Sequence, residues 1–207
     1  MGSKGRTPFL RFYSYSGYLR SMNMFIRYLR MIQFSNSLPR SGKPMIQHIC
    51  DSLRPWFREI LISANDPLRY AFLNLPVVTD KLSGQGPLMG IVSAMDKASY
   101  DRCFVIACDI PRIDEALILK MLRMTRSFDG VVPRRGSKLY EPLFAVYRKA
   151  MFETFDRLLA DGERRIDRAY PLCRMGYVDL EPQGTPANIN TMQDYLSISQ
   201  DAKDAAV

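Results

Sequence analysis

Three short apolar runs set the terms for this chain. Glu59-Ile-Leu-Ile-Ser63, Pro76-Val-Val-Thr79 and Cys103-Phe-Val-Ile-Ala-Cys108 each give way within two residues to a polar side chain, Asn65, Asp80 and Asp109. A run that is apolar throughout buries both of its faces, which is how strands of a covered parallel sheet read. Segments with helical spacing lie around these runs. Apolar residues fall at Met45, Ile46, Ile49, Cys50, Leu53 and Phe57, behind Pro44 near the first turn. Strands alternating with helices predict an α/β fold, a doubly wound, mainly parallel sheet with helices on both faces and right-handed crossovers. Ligands of such sheets sit beyond the carboxyl ends of the strands, so Asn65, Asp80 and Asp109 are expected to share one crevice.

The remaining elements follow from the same pattern. Leu68 to Leu73 reads as a short helix. Gly84-Gln-Gly-Pro-Leu-Met-Gly90 opens a helix to about Ala98, and Asp114 caps another to about Phe128. Strands are expected at Gly130–Pro133, from Leu139 to Tyr147, and at Tyr177–Leu180, with helices from Lys149 to Ala160 and from Thr191 to Ser199.

Charge separates the chain into two parts. Residues 1–40 hold Lys4, Arg6, Arg11, Arg20, Arg27, Arg30 and Arg40 and no acid, whereas the rest carries 22 basic and 21 acidic side chains. The net charge of +8 therefore belongs almost wholly to one atypical basic segment, followed by a domain over 41–200 and a tail over 201–207. A near-neutral body does not suggest a surface built for phosphate backbones, so neither nucleic acid nor a membrane is the expected partner. No run of 18 apolar residues exists, and no secretory signal opens the chain; a cytoplasmic protein is expected. Cys50, Cys103, Cys108 and Cys173 are scattered, without a C-x-x-C pair, and read as buried reduced thiols.

Asp109 stands out chemically. A carboxylate at the end of a buried strand can hold Mg²⁺, which prefers oxygen ligands and bridges to phosphates; the same residue can also merely make a turn. The N1–H and N2–H₂ edge of guanine pairs well with a carboxylate, so base reading by Asp80 is chemically sensible; a surface charge at Asp80 and an ordinary turn residue at Asn65 are the alternatives. Gly86, Pro87 and Gly90 start a helix whose exposed N–H groups attract anions, although the loop matches neither G-x-G-x-x-G nor the P-loop. His48 is the only histidine and makes no credible triad. The pairs Arg134-Arg135 and Arg164-Arg165 read as solvated.

Taken in order, Ser41-Gly-Lys-Pro-Met-Ile-Gln-His48, Ile62-Ser-Ala-Asn65, Pro76-Val-Val-Thr-Asp80, Gly86-Pro-Leu-Met-Gly-Ile91, Ala107-Cys-Asp-Ile-Pro111, Glu141-Pro-Leu-Phe-Ala-Val-Tyr147, Gly162-Glu-Arg-Arg165 and Asn188-Ile-Asn-Thr191 resemble molybdenum cofactor guanylyltransferases, the MobA family. The resemblance runs from about Ser41 to Ser199. It implies a Rossmann-type fold like that of nucleotide-diphospho-sugar transferases. It also implies an enzyme that moves GMP from Mg·GTP to molybdenum-loaded molybdopterin. Under it, Asp109 would bind Mg²⁺ and the GTP phosphates. Asn65, Asp80, Gly86, Pro87 and Gly90 would hold the nucleotide, and Asn188 and Asn190 would lie near the reacting groups. GTP and molybdopterin would be the small-molecule partners, with molybdoenzyme chaperones as further candidates.

The amino terminus departs from that pattern. The family opens with an apolar strand and then L-A-G-G-x-S-x-R-M-G-x-D-K. Here the corresponding stretch reads Tyr18-Leu-Arg-Ser-Met-Asn-Met-Phe-Ile-Arg-Tyr-Leu-Arg30-Met-Ile-Gln, without Gly-Gly, Arg-Met-Gly or Asp-Lys. The sequence thus leaves the first strand of the sheet open and assigns no residue to its glycine-rich phosphate loop. Three readings of residues 1–40 stay open: a stretch read in a shifted frame, a divergent start that has lost catalysis, and a targeting or membrane-surface segment. The second would leave a binding protein of the same family, and a cytidylyltransferase for the same cofactor is the near alternative in substrate.

Overall fold

The fold is known from a computed structural model, which describes residues 23–27, 44–108, 110, 113–137 and 139–180, the first five through the backbone alone. An eight-stranded sheet organises it: β1 (Asn23–Arg27), β2 (Glu59–Ser63), β3 (Val77–Val78), β4 (Arg102–Ala107), β5 (Gly130–Arg135), β6 (Leu139–Tyr140), β7 (Phe144–Arg148) and β8 (Met175–Asp179). The strand order is β3-β2-β1-β4-β7-β5-β6, with β8 beside β5. β1 to β4 run parallel, β7 runs against both β4 and β5, and β8 lies parallel to β5. Six strands therefore point the same way, and only β6 and β7 oppose them. The doubly wound, mainly parallel α/β sheet expected from the sequence is the sheet observed.

The point left open by the sequence has an answer in the fold. The first strand lies inside the basic segment, and it is central. Asn23 to Arg27 pair in continuous register with Glu59 to Ser63 on one side and with Cys103 to Ala107 on the other. Strand pairing is made by main-chain N–H and C=O groups, which every residue in this stretch supplies. The apolar signal amounts to Met-Phe-Ile, too short to stand out among arginines and tyrosines.

Among the described residues four α-helices cover the faces: α1 (Met45–Leu53), α2 (Gly86–Lys97), α3 (Glu115–Met124) and α4 (Phe152–Ala160). Side chains alternate across a strand, so β4 sends Phe104 and Ile106 to one face and Cys103 and Val105 to the other. On the first face, α1 contributes Ile46, Ile49, Cys50 and Leu53, and α3 contributes Leu117, Ile118, Met121 and Leu122. On the second, α2 contributes Leu88, Ile91, Val92 and Met95, and α4 contributes Phe155. Phe104 ties the first core together, stacked on Phe57 at 5.9 Å and edge-on to Phe144 at 5.2 Å.

Boundaries moved where local chemistry decides them. α1 stops at Leu53 rather than Phe57, because Pro55 has no N–H to continue the ladder. The long strand expected from Leu139 to Tyr147 is two strands, parted by a turn at Glu141-Pro142-Leu143 in which Phe144 N–H donates to the Glu141 carbonyl at 3.0 Å. Leu68–Leu73 is a 3₁₀ helix, as is Ile166–Leu172, which contains Pro171 and has no periodic signal. Asp114 does cap α3, its carboxylate accepting the Leu117 N–H at 2.9 Å. The helix expected over Thr191–Ser199 and the tail lie outside the described residues. Among the described residues no helix is long and apolar enough to cross a membrane.

Candidate functional site at the carboxyl edge of the sheet

The parallel strands β2, β3 and β4 deliver Asn65, Asp80 and Cys108 past the same edge of the sheet. Asn65 and Asp80 meet there. The Asp80 N–H donates to Asn65 Oδ1 at 2.8 Å, and Asn65 Nδ2 donates to Asp80 Oδ2 at 3.1 Å. Asn65 is exposed and Asp80 half-buried, so the pair fronts solvent. Asp109, the next residue after Cys108, lies outside the described residues, as do Asn188 and Asn190.

α2 begins beside this edge, since the chain passes from Asp80 to its first residue in six steps. Gly84 and Gly86 have φ of +79° and +76°, a left-handed backbone that a side chain would oppose. Pro87 follows in the first turn, where its missing N–H costs nothing, and Gly90 is buried one turn on. The cap position, Gln85, makes no side-chain hydrogen bond to the helix start. α3 differs in this respect, because the Asp114 carboxylate already occupies its first turn. The amino end of α2 therefore brings the positive end of a helix dipole beside this edge, and Gln85 itself supplies no cap.

The other half of the edge comes from β5, β6 and β8. Arg134 is paired with Asp179 at 2.6 Å, and its guanidinium lies 4.8 Å from the centre of the Tyr177 ring. That pairing holds the Arg134 charge on and lowers the Asp179 carboxyl below its ordinary value. Arg135 reaches Glu141 at 3.4 Å. Arg165 makes two hydrogen bonds to Asp167, at 2.7 and 3.1 Å. Three of the arginines read as solvated pairs from sequence are thus engaged with acids, which the spacing of Arg134 and Asp179 along the chain gave no means of seeing. Behind them, Tyr147 donates to the Pro142 carbonyl at 2.9 Å and accepts from Tyr170 at 3.0 Å, which leaves each hydroxyl partnered in the core; burial pushes both phenols up.

The Cys50 thiol is pushed up to about 12 by burial, so it offers no thiolate at neutral pH. Among the described residues no three His, Cys, Asp or Glu side chains gather as a metal cage. Mg²⁺ needs no such cage, since one or two carboxylates and substrate phosphates hold it. A cavity of about 420 Å³ lined by Met95, Asp96, Lys149 and Phe152 opens at the far end of α2 and shares no residue with the crevice. We take the crevice as the site, because the polar groups converge there.

A mainly parallel sheet wound on both faces, with polar residues past its carboxyl edge and a glycine-started helix beside them, defines an α/β protein of the class whose ligands sit at that edge. Comparison with known proteins narrows this. The MobA-like NTP transferase domain matches residues 30–173, and the chain belongs to that family of nucleotidyltransferases. It is 33% identical over 173 residues to the "Probable molybdenum cofactor guanylyltransferase" of Carboxydothermus hydrogenoformans, covering 80% of this chain and 87% of the relative. It is 34% identical over 162 residues to the molybdenum cofactor guanylyltransferase of Shewanella woodyi, covering 76% and 83%. The solved structure of molybdopterin-guanine dinucleotide biosynthesis protein A from Archaeoglobus fulgidus superposes with a TM-score of 0.72 over 88% of this chain and 100% of that one. At 19% identity that likeness is one of fold.

Proposed function

We propose that this chain transfers GMP from GTP to molybdenum-loaded molybdopterin, giving the guanine dinucleotide form of the cofactor and pyrophosphate. The observation that carries the proposal is the Asn65–Asp80 pair at the carboxyl edge, a held carboxylate of a kind that pairs well with the guanine N1–H and N2–H₂ edge. The relatives named for guanylyl transfer supply the reaction class.

In this reading Asp80 takes the base, and the amino end of α2, from Gly86 through Pro87 to Gly90, faces the phosphates. An oxygen of the acceptor's terminal phosphate attacks the α-phosphorus of GTP; that P–O bond forms as the bond to the β-phosphate breaks, and pyrophosphate leaves. Such a displacement gains most from positioning and charge neutralisation. Asp109, at the end of β4, would hold Mg²⁺, which when bound offsets phosphate charge. Asn188 and Asn190 would orient the reacting groups.

A second reading has its own observation. The family match begins at residue 30, after β1, and no residue of the segment before Ser41 fits the family's glycine-rich loop. A protein that binds the same ligands without turnover would carry that departure. Within the enzyme reading, competition between GTP and CTP at fixed Mg²⁺, with molybdopterin as acceptor and the dinucleotide product identified by mass, decides the base. The guanine product is expected in excess, and preferential cytosine product would overturn the assignment.

A further inference from the structure

The loop after β3 is held from two directions. On one side the Asp80 N–H and one carboxylate oxygen are both bonded to the side-chain amide of Asn65, at 2.8 and 3.1 Å. On the other, the Lys81 N–H donates to Ser93 Oγ at 3.0 Å, a hydroxyl buried within α2. The Lys81 ammonium then turns to Asp96 at 3.6 Å and lies 5.4 Å from the centre of the Phe152 ring. Two successive N–H groups are thereby fixed by side chains, and the side chains of residues 80 and 81 are sent to different neighbours.

The consequence falls on Asn65. A primary amide has one oxygen and one NH₂ group, and here both engage the same residue, one its main chain and the other its carboxylate. A carboxylate on a loop turns broadly about its terminal torsion. One whose Oδ2 is held and whose backbone is tied to the same partner keeps its plane. Few side chains do both: serine has a single oxygen, and aspartate would oppose the carboxylate with like charge.

We propose that Asn65 is a positioning residue, acting on the nucleotide through Asp80 by fixing the plane of the carboxylate that reads the purine edge. This rests on the base-reading role given to Asp80 above. It differs from a direct nucleotide contact by Asn65, which the family resemblance implies, and the two are separable by their coupling.

The test is a cycle of binding measurements on the full chain with two probes, GTP and inosine triphosphate, at fixed Mg²⁺. Inosine lacks the exocyclic amine and so loses half of the edge that Asp80 would hold. The intact chain is expected to prefer GTP, and Asp80→Asn to erode that preference roughly tenfold, the worth of a hydrogen bond to a charged group. Asn65→Ala is expected to erode it as much, and the double variant no further. Asn65→Asp keeps an acceptor for the Asp80 N–H but opposes the carboxylate, so it too should lose the preference. A side chain that only stabilised the loop would lower the melting temperature and leave the ratio of the two affinities alone. Preference retained in Asn65→Ala, or losses that multiply in the double variant, would overturn the positioning role and leave base reading by Asp80 standing. If Asp80→Asn itself leaves the preference unchanged, base reading falls, and the positioning role falls with it.

Discussion

At the scale of single residues, charge is used here mainly to fasten strand ends. Asp129 sits just before β5 and joins it to the start of β8: its N–H donates to the Arg174 carbonyl at 2.7 Å, and its carboxylate accepts from the Arg174 N–H and guanidinium, both at 3.1 Å. The Arg174 guanidinium lowers the Asp129 carboxyl below its ordinary value. A depressed carboxyl stabilises the fold above the unfolded carboxylate range, about pH 4, and that contribution is lost as pH falls through the lowered folded value. Asp129→Asn should therefore cost about 1 kcal/mol at neutral pH, discounted because the arginine is solvated. Denaturant melts across pH should show the gap between the two proteins closing below pH 4; a gap independent of pH would contradict the ion pair. This contact was not legible in the sequence, because nothing in the text pairs residues 45 positions apart. Asp80 and Asn65 were legible only as strand-end polar residues, and their bonding to one another needed β2 and β3 side by side.

At the scale of elements, legibility followed how strongly a segment's burial is written in its residue types. β2 and β4 each hold an unbroken apolar run, and their positions agree with the sequence reading within one residue. α2 was read from its glycines and proline, which have conformational reasons to be where they are. β1 failed the same test, since a five-residue strand with three apolar residues resembles any stretch of an Arg- and Tyr-rich segment. The strand joining β6 and β7 was read too long, because a turn around Pro142 is cheap where the sheet can resume two residues later. The observed place of β1 carries a sharp prediction. Every N–H of a central parallel strand is committed to a neighbour, so Phe25→Pro removes a ladder bond from β1 to one of its neighbours, β2 or β4, and should cost about 3 kcal/mol or more. Loss of the cooperative thermal melt is the expected result. An unchanged melt would mean that residues 23–27 do not hold the sheet together.

At the scale of the whole molecule, a continuous sheet with two cores carries the crevice, and the basic segment contributes its central strand. That arrangement explains how a chain whose opening lacks the family's glycine-rich loop still folds as a family member: the strand requires backbone, whereas the loop requires particular residues. It also sets the question that matters most, which is whether the edge supports turnover or only binding. The direct measurement is pyrophosphate release from GTP and Mg²⁺, with and without molybdopterin, by the intact chain and by Asp109→Ala. Guanylyl transfer predicts release that depends on molybdopterin and falls roughly a hundredfold or more in the variant, as expected when a group that offsets transition-state charge is removed. Release no greater than background from an intact, cooperatively folded chain would contradict the transferase account and leave a binding protein in its place.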